Sequence, residues 1–159
     1  MAINEFVAKK LGEILAFERV GQDTLERGRV ALEEALGQER ITDREEKIRL
    51  YSEAILRTAT DAGVVDTTLT KASATENKLK KMRDLYVGDQ WDNATELLEW
   101  SGFFEGAAIV HYALVRGAAE GLGDEALMTL AEEAKNYHYE LLELAESELE
   151  TKGQDKATA

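Results

Sequence analysis

Three ionisable side chains lie on the apolar stripes of helices that the sequence predicts. At about 100° per residue, Glu18 falls in the middle of the stripe on the first helix. His138 falls between Ala134 and Leu141 on the last helix, and Glu105 lies in a third helix that is apolar almost all round. Because burying an unpaired charge costs several kcal/mol, each of these side chains needs a partner or a bound ion.

The three side chains are also predicted to lie at the same height. With a rise of about 1.5 Å per residue, Glu18, Glu105 and His138 each lie about 14 or 15 residues into their helices. A turn near residue 122 brings Glu105 within about half a helical turn of His138. Carboxylates and imidazole without sulfur suit iron, manganese or zinc. The sequence therefore predicts a metal site at mid-height in a helical core, formed by Glu18, Glu105 and His138.

The alternative is a metal-free dimeric helical bundle that acts as a structural or interaction module. In this alternative, His138 is a core histidine whose ring nitrogens are hydrogen-bonded, and Glu105 pairs with a side chain on another helix of the bundle. The buried residues then form a hydrogen-bonded network. Glu18 is then satisfied by a polar neighbour, for which the sequence offers Gln22, Arg29 and Arg57. Tyr112, seven residues after Glu105, is predicted to pack near the same point.

The apolar periodicity predicts which elements hold these side chains. Apolar residues at spacings of three and four predict a first helix over about residues 3–36, which Gly37 ends. Thr42 and Glu45 have the form of a capping box, so a second helix is predicted from there to Gly63.

A short connecting helix and two more long helices are predicted downstream. Ser73 and Glu76 have the form of a second capping box, so the short helix is predicted from there to Gly88. The third long helix is predicted over about residues 91–119, and the fourth, after a Gly-rich turn, over about residues 125–149.

The predicted fold is all-α. No Val/Ile/Thr-rich alternation marks a strand, and the chain of 159 residues has no proline. Four long helices and a short connecting fifth helix predict an up-down four-helix bundle. One domain is expected over residues 1–150, followed by a polar, disordered tail over residues 151–159.

Composition excludes several classes of function. The 32 acidic and 19 basic side chains give a net charge of −13, which disfavours nucleic acid and anionic membranes as partners. The absence of cysteine excludes a catalytic thiol, and no phosphate-binding loop is present. The apolar stretch that begins at Trp100 and ends at Val115 is too short to span a membrane and is predicted to form a homodimer interface. We expect a soluble, cytoplasmic protein.

The chain resembles the ferritin-like superfamily, in particular rubrerythrin-like domains and small bacterial stress-associated ferritin-like proteins. FFEGAAIVHYALVRGAAEGLG and EEAKNYHYELLELA are similar to that group's third and fourth helices. In the family, helices one and three each supply a Glu, and helices two and four each supply a Glu-x-x-His pair, which together hold two metal ions. Glu18 and Glu105 match the single glutamates, and His138 stands where the pair of the fourth helix begins.

The sequence departs from the family's ligand pattern at three points. His138 replaces the family's Glu, Leu141 replaces its His, and the second helix has no Glu-x-x-His, because Glu53 faces away from the core. The resemblance therefore implies an altered dinuclear or a mononuclear iron or manganese site, or a bundle that has lost its metal. It also implies a redox or stress-related role, and leaves a metal-dependent oxidoreductase activity open.

Overall fold

The computed structural model describes residues 2–159, which are folded into helices and connecting turns without a strand. The six helices in chain order are α1 (Glu5–Arg27), α2 (Arg29–Leu36), α3 (Gln38–Asp61), α4 (Val65–Val87), α5 (Ala94–Leu122) and α6 (Glu125–Ala157). None of the helices in residues 2–159 is both long and apolar enough to cross a membrane. The prediction of an all-α fold is confirmed.

The predicted first helix is divided at Gly28. This residue has φ −96° and ψ 12° and separates α1 from α2. A Cβ at Gly28 would lie 2.8 Å from Cδ1 of Leu97, so α5 packs closely against the chain at this point. The prediction of one helix over residues 3–36 is therefore wrong, because a glycine that weakens a helix coincides with a tertiary contact that requires its small size.

The start of the second long helix was also predicted wrongly. Gly37 ends α2 with φ 88°, and α3 begins at the next residue. Thr42 and Glu45 thus lie inside α3 instead of capping it. The reason is that one glycine with a positive φ reverses the chain, which leaves no loop for a capping box to close.

The connecting helix is long, which corrects the predicted short helix. α4 has 23 residues and begins at Val65, so the predicted cap at Ser73 lies in its interior. Its buried residues Thr68 and Ala72 pack against α1, and Oγ1 of Thr68 donates a hydrogen bond to the carbonyl oxygen of Ala8 at 3.0 Å. The Thr-rich segment lacks an apolar stripe because it contacts the backbone of α1.

α5 and α6 form a long antiparallel pair. Asn93 accepts hydrogen bonds from the backbone at the start of α5, and Asp124 does the same for α6. Gly123 adopts the left-handed conformation between them, with φ 67°. α6 continues to Ala157, so residues 151–157 are helical where a disordered tail was predicted.

A layer of charged residues lies where two apolar clusters of the core meet. One cluster contains Leu11, Ile55, Val115 and Leu127, and the other contains Phe17, Ile41, Leu97 and Phe104. Four of the helices each contribute one buried charged residue to this layer: Glu18 of α1, Arg44 of α3, Glu105 of α5 and His138 of α6. The fold thus directs one charge from each of four helices toward the centre.

Candidate functional site

The three candidate residues meet at one point in the core. His138 lies between the two glutamates: its Nε2 is 2.8 Å from Oε1 of Glu18, and its Nδ1 contacts Oε2 of Glu105. Glu18 and His138 are completely buried, and Glu105 is 5% exposed. The structure therefore brings together all three side chains that helical periodicity had selected.

A fourth charged side chain, Arg44 of α3, completes the cluster. Its Nη1 lies 3.8 Å from Oε2 of Glu18, and its Nη2 lies 3.6 Å from Oε1 of Glu105. Arg44 is 5% exposed. Nη1 and Oε2 of Glu18 have no hydrogen-bond partner, so the contact between them is an ion pair without a hydrogen bond. We call Glu18, Arg44, Glu105 and His138 the ionic cluster.

Sequence reasoning did not select Arg44, although a usable pattern was present. Arg44 lies on the buried stripe of α3 at spacings of three from Ile41 and four from Ile48. This is the same pattern that identified Glu18. It was missed because the predicted capping box put Arg44 at the end of the helix, outside the bundle centre.

Gly21 of α1 makes room for the guanidinium group. A Cβ at Gly21 would lie 2.8 Å from Nη2 of Arg44 and 3.7 Å from Cδ1 of Ile48. The missing side chain thus lets Arg44 reach across α1 toward both glutamates. Gly21 positions the cluster without taking part in its electrostatics.

Two tyrosines border the ionic cluster. The hydroxyl of Tyr112 donates to Oε1 of Glu18 at 3.2 Å, and its ring stacks on His138 with a centroid distance of 5.4 Å. The ring of Tyr137 faces the guanidinium of Arg44 at 5.8 Å. Burial, followed by the charge of Glu18, raises the pKa of Tyr112 well above its usual value, so its hydroxyl keeps its proton.

The cluster favours its ionised forms. Burial alone would lower the pKa of His138, but the charges of Glu105 and Glu18 and their hydrogen bonds outweigh it and raise the pKa to about 9. Burial would raise the pKa of Glu18, but His138, Arg44 and Tyr112 lower it below its usual range. With both ring nitrogens protonated, His138 donates a hydrogen bond to each glutamate. Two carboxylates then face two cations, and the cluster carries no net charge.

This donor set does not fit a resident divalent ion as it stands. A metal-bound histidine needs a ring nitrogen with a free lone pair, whereas both ring nitrogens of His138 face carboxylate oxygens. Arg44 puts a fixed positive charge beside the oxygens that would bind the ion. Across residues 2–159, no three His, Cys, Asp or Glu side chains are arranged to hold a metal ion. Iron or manganese binding stays a prediction.

A cleft connects the ionic cluster with the surface. It lies between the first half of α3 and the middle of α6, and these two helices touch at few positions. Its volume is about 860 Å³, and Arg44 and Glu105 form part of its wall. Most of the remaining wall is apolar and includes Leu25, Leu36, Trp100, Phe104 and Leu141.

The outer face of α5 is apolar and exposed. Phe103 is 62% exposed and Val110 is 61% exposed, and Leu114 lies on the same face. Gly102 and Gly106 lie at the edge of this face, and no neighbouring atom lies within 4 Å of the position that a Cβ would take at either residue. At about 100° per residue, this face is opposite to Ser101 and Glu105, which line the cleft, while Trp100, which also lines the cleft, stacks on Phe103 at the edge of this face.

The fold and the site define an all-α protein with a buried, charge-balanced ionic cluster beside an apolar cleft. The chain matches no family model, and comparisons with curated proteins and with solved structures found no match. Its function is therefore argued from the geometry of the site.

Proposed function

We propose that the chain is a ferritin-like four-helix bundle in which the ionic cluster replaces the metal centre, and that it acts as a dimeric binding module. The observation that carries this proposal is that Arg44 lies within ion-pair distance of both Glu18 and Glu105. The four-helix core is supported by α1, α3, α5 and α6, each of which contributes one member of the cluster. α4 then packs against the outside of α1.

The physical basis is the charge balance of the interior. Two buried carboxylates need about two positive charges nearby, which a metal ion or two cationic side chains can supply. Arg44 and protonated His138 supply both. A divalent ion at the same oxygens would be repelled by the guanidinium and would have to displace the proton of His138.

Iron or manganese binding with a redox or stress-related role is the second candidate. It is favoured by the convergence of Glu18, Glu105 and His138 from three helices, the arrangement in which helical bundles hold carboxylate and histidine ligands. For this function Arg44 would have to swing away from the glutamates. Arg44 borders the cleft, which offers the space for that movement.

Metal loading tests the two candidates. The purified chain is incubated anaerobically with Fe(II) or Mn(II), desalted, and analysed for metal per chain. We expect no stoichiometric binding by the wild type. Arg44→Met, which removes the charge but keeps much of the side-chain length, should bind more metal, and adding Glu105→Gln should abolish that gain.

Arg29→Met is the matched control, because Arg29 pairs with Glu33 and Glu45 near the surface and does not contact the ionic cluster. It should bind as little metal as the wild type. Stoichiometric binding by the wild type that is lost in Glu105→Gln would overturn the metal-free proposal and support the second candidate. This outcome does not depend on the folding of any Arg44 variant.

A second copy of the chain is the partner that we propose for the outer face of α5. In the proposed contact, the α5 helices of the two chains are antiparallel, and Val110 of one chain lies opposite Gly106 of the other. This register pairs a bulky residue with a small one throughout the contact. The register gives three such pairs: Val110 with Gly106, Leu114 with Gly102, and Phe103 with Ala113. A two-fold symmetric interface requires this self-complementarity. The same register brings Glu99 near Arg116 of the other chain, which adds an opposite-charge pair at each end.

The net negative charge of the chain disfavours polyanionic partners. At −13, the protein repels phosphate backbones and anionic lipid surfaces. We therefore propose that nucleic acids and anionic membranes are not partners.

A further inference from the structure

The cleft between α3 and α6 has the size and shape of a small-molecule site. Its volume of about 860 Å³ lies within the range of about 300–1,000 Å³ that is typical of such pockets. The apolar wall brings Leu25 of α1, Leu36 of α2, Phe104 of α5 and Leu141 of α6 around one space. A ligand with an apolar body would remove these side chains from water.

The charged groups of the cleft are predominantly acidic. Five carboxylates border it against two guanidinium groups, those of Arg40 and Arg44. Arg44 is neutralised within the ionic cluster, whereas Arg40 is exposed without an ion pair to another side chain of residues 2–159 and offsets one of the unpaired carboxylates. Of the carboxylates, Glu105 belongs to the cluster, Glu46 is paired with Arg49, and Asp43 accepts a hydrogen bond from Tyr137.

Two carboxylates at the rim are free to meet a ligand. Glu39 at the start of α3 and Glu140 of α6 are exposed and have neither a hydrogen bond nor an ion pair with another side chain. They belong to the two helices between which the cleft opens. A positive group near the rim would therefore be attracted from both sides.

We propose that the cleft binds a small cationic amphiphile, a molecule with one ammonium group and an apolar alkyl or aromatic body. The apolar body lies between Leu36, Phe104 and Leu141, and the ammonium group lies at the rim near Glu39 and Glu140. Trp100 and Phe104 add aromatic surface to the apolar wall that contacts the body of the ligand. An anionic amphiphile of the same length meets the same apolar wall but is repelled at the rim.

The cleft is distinct from the surface proposed for the second copy. That surface is the outer face of α5, whereas Ser101 and Glu105 on the opposite side of the helix line the cleft. The attraction at the rim does not depend on whether the ionic cluster holds a metal, because the rim carboxylates do not belong to the cluster.

Tryptophan fluorescence tests the proposal in the full-length chain. Trp100 lines the cleft and Trp91 does not, so a Trp91→Phe background makes Trp100 the only reporter. The probes are decylamine, decanol and decanoate below their aggregation concentrations. We expect saturable binding of decylamine, weaker binding of decanol, and the weakest binding of decanoate.

Two charge-matched double variants separate the cleft from general attraction to an acidic surface. Glu39→Gln with Glu140→Gln should weaken decylamine binding by about threefold to tenfold and leave decanol binding unchanged. Glu143→Gln with Glu150→Gln, on the side of α6 away from the cleft, removes the same charge and should leave decylamine binding unchanged. Equal weakening in both variants would overturn the proposal.

An occlusion variant tests the location of the apolar body. Ser101 borders the cleft, and Ser101→Phe should abolish decylamine binding while the far-ultraviolet circular dichroism stays helical. Decanoate binding as tight as decylamine binding in the Trp91→Phe chain would also reject the proposal, because the site would then not select a cation. This comparison of decanoate with decylamine requires no substitution in the cleft.

Discussion

Arg44 determines the electrostatics of the interior because it is the fixed cation between two buried glutamates. Its guanidinium lies 3.6 Å from Glu105 and 3.8 Å from Glu18. His138 is the second cation, and its charge depends on a proton. The ionic cluster is therefore expected to respond to pH through His138, while Arg44 remains charged.

The first residue-scale prediction concerns stability at alkaline pH. Because the pKa of His138 is raised from 6.5 to about 9, its protonation stabilises the fold fully below pH 6.5, and this contribution is lost as the pH rises through 9. We expect the free energy of unfolding to be lower by about 2–3 kcal/mol at about pH 10 than at pH 7. Urea denaturation followed by circular dichroism measures it.

The chain offers a matched control, because it contains only two histidines. The side chain of His111 is 35% exposed and lies outside the ionic cluster, so His111→Gln should keep the alkaline loss of stability. His138→Gln should be less stable at pH 7 and lose most of the pH dependence. A wild-type stability that is flat across this range would contradict the charged state of His138.

At the scale of elements, the contact between α1 and α4 depends on the absence of a side chain at Gly12. A Cβ at this position would lie 2.5 Å from the carbonyl oxygen of Thr68 and 3.0 Å from the backbone nitrogen of Ala72. These are backbone atoms, which cannot move without moving α4. The helices therefore pack with their backbones in close contact.

We predict that Gly12→Ala lowers the free energy of unfolding by about 1–3 kcal/mol through overpacking, measured by urea denaturation. Gly117→Ala is the control in the interior of α5, where nothing lies within 4 Å of the added carbon. It should be neutral or stabilising by up to about 1 kcal/mol, because alanine favours helix over glycine. Equal effects of the two substitutions would argue against close packing of α1 on α4.

The elements also differ in how far they could be predicted. The turn into α6 was predicted correctly because Gly123 and Asp124 act locally, one through its backbone conformation and the other as a cap. The capping boxes at Thr42 and Ser73 were wrong. Each has the required residue spacing, but both lie inside helices that tertiary packing extends upstream.

At the scale of the whole molecule, the outer face of α5 predicts self-association. Light scattering coupled to size exclusion should give the mass of a dimer at micromolar concentration. Val110→Glu should give a monomer with unchanged helicity, because it puts a charge in the centre of the proposed contact. Val30→Glu is the control, since Val30 is 82% exposed on α2 and does not belong to the outer face of α5. A monomeric wild type across a dilution series would refute the dimer.

The register of the dimer can be measured separately, because the chain has no cysteine. Antiparallel pairing brings residue 106 of one chain opposite residue 110 of the other. The double variant Gly106→Cys with Val110→Cys should therefore form an interchain disulfide under mild oxidation. A parallel pairing brings each of these residues opposite itself, so efficient crosslinking of both single variants would contradict the antiparallel register.

Helical periodicity was sufficient to predict the all-α fold and the burial of Glu18, Glu105 and His138. The reason is that an apolar stripe depends on residues three and four apart, which the sequence contains directly. The neutralising role of Arg44, the full length of α4 and the cleft between α3 and α6 required the tertiary structure. Each depends on how closely two helices approach one another. The guanidinium of Arg44 lies within 4 Å of both glutamates, α1 leaves no room for a Cβ at Gly12 beside α4, and α3 and α6 are separated at the cleft. These distances result from the packing of residues far apart in the chain, so no local pattern determines them.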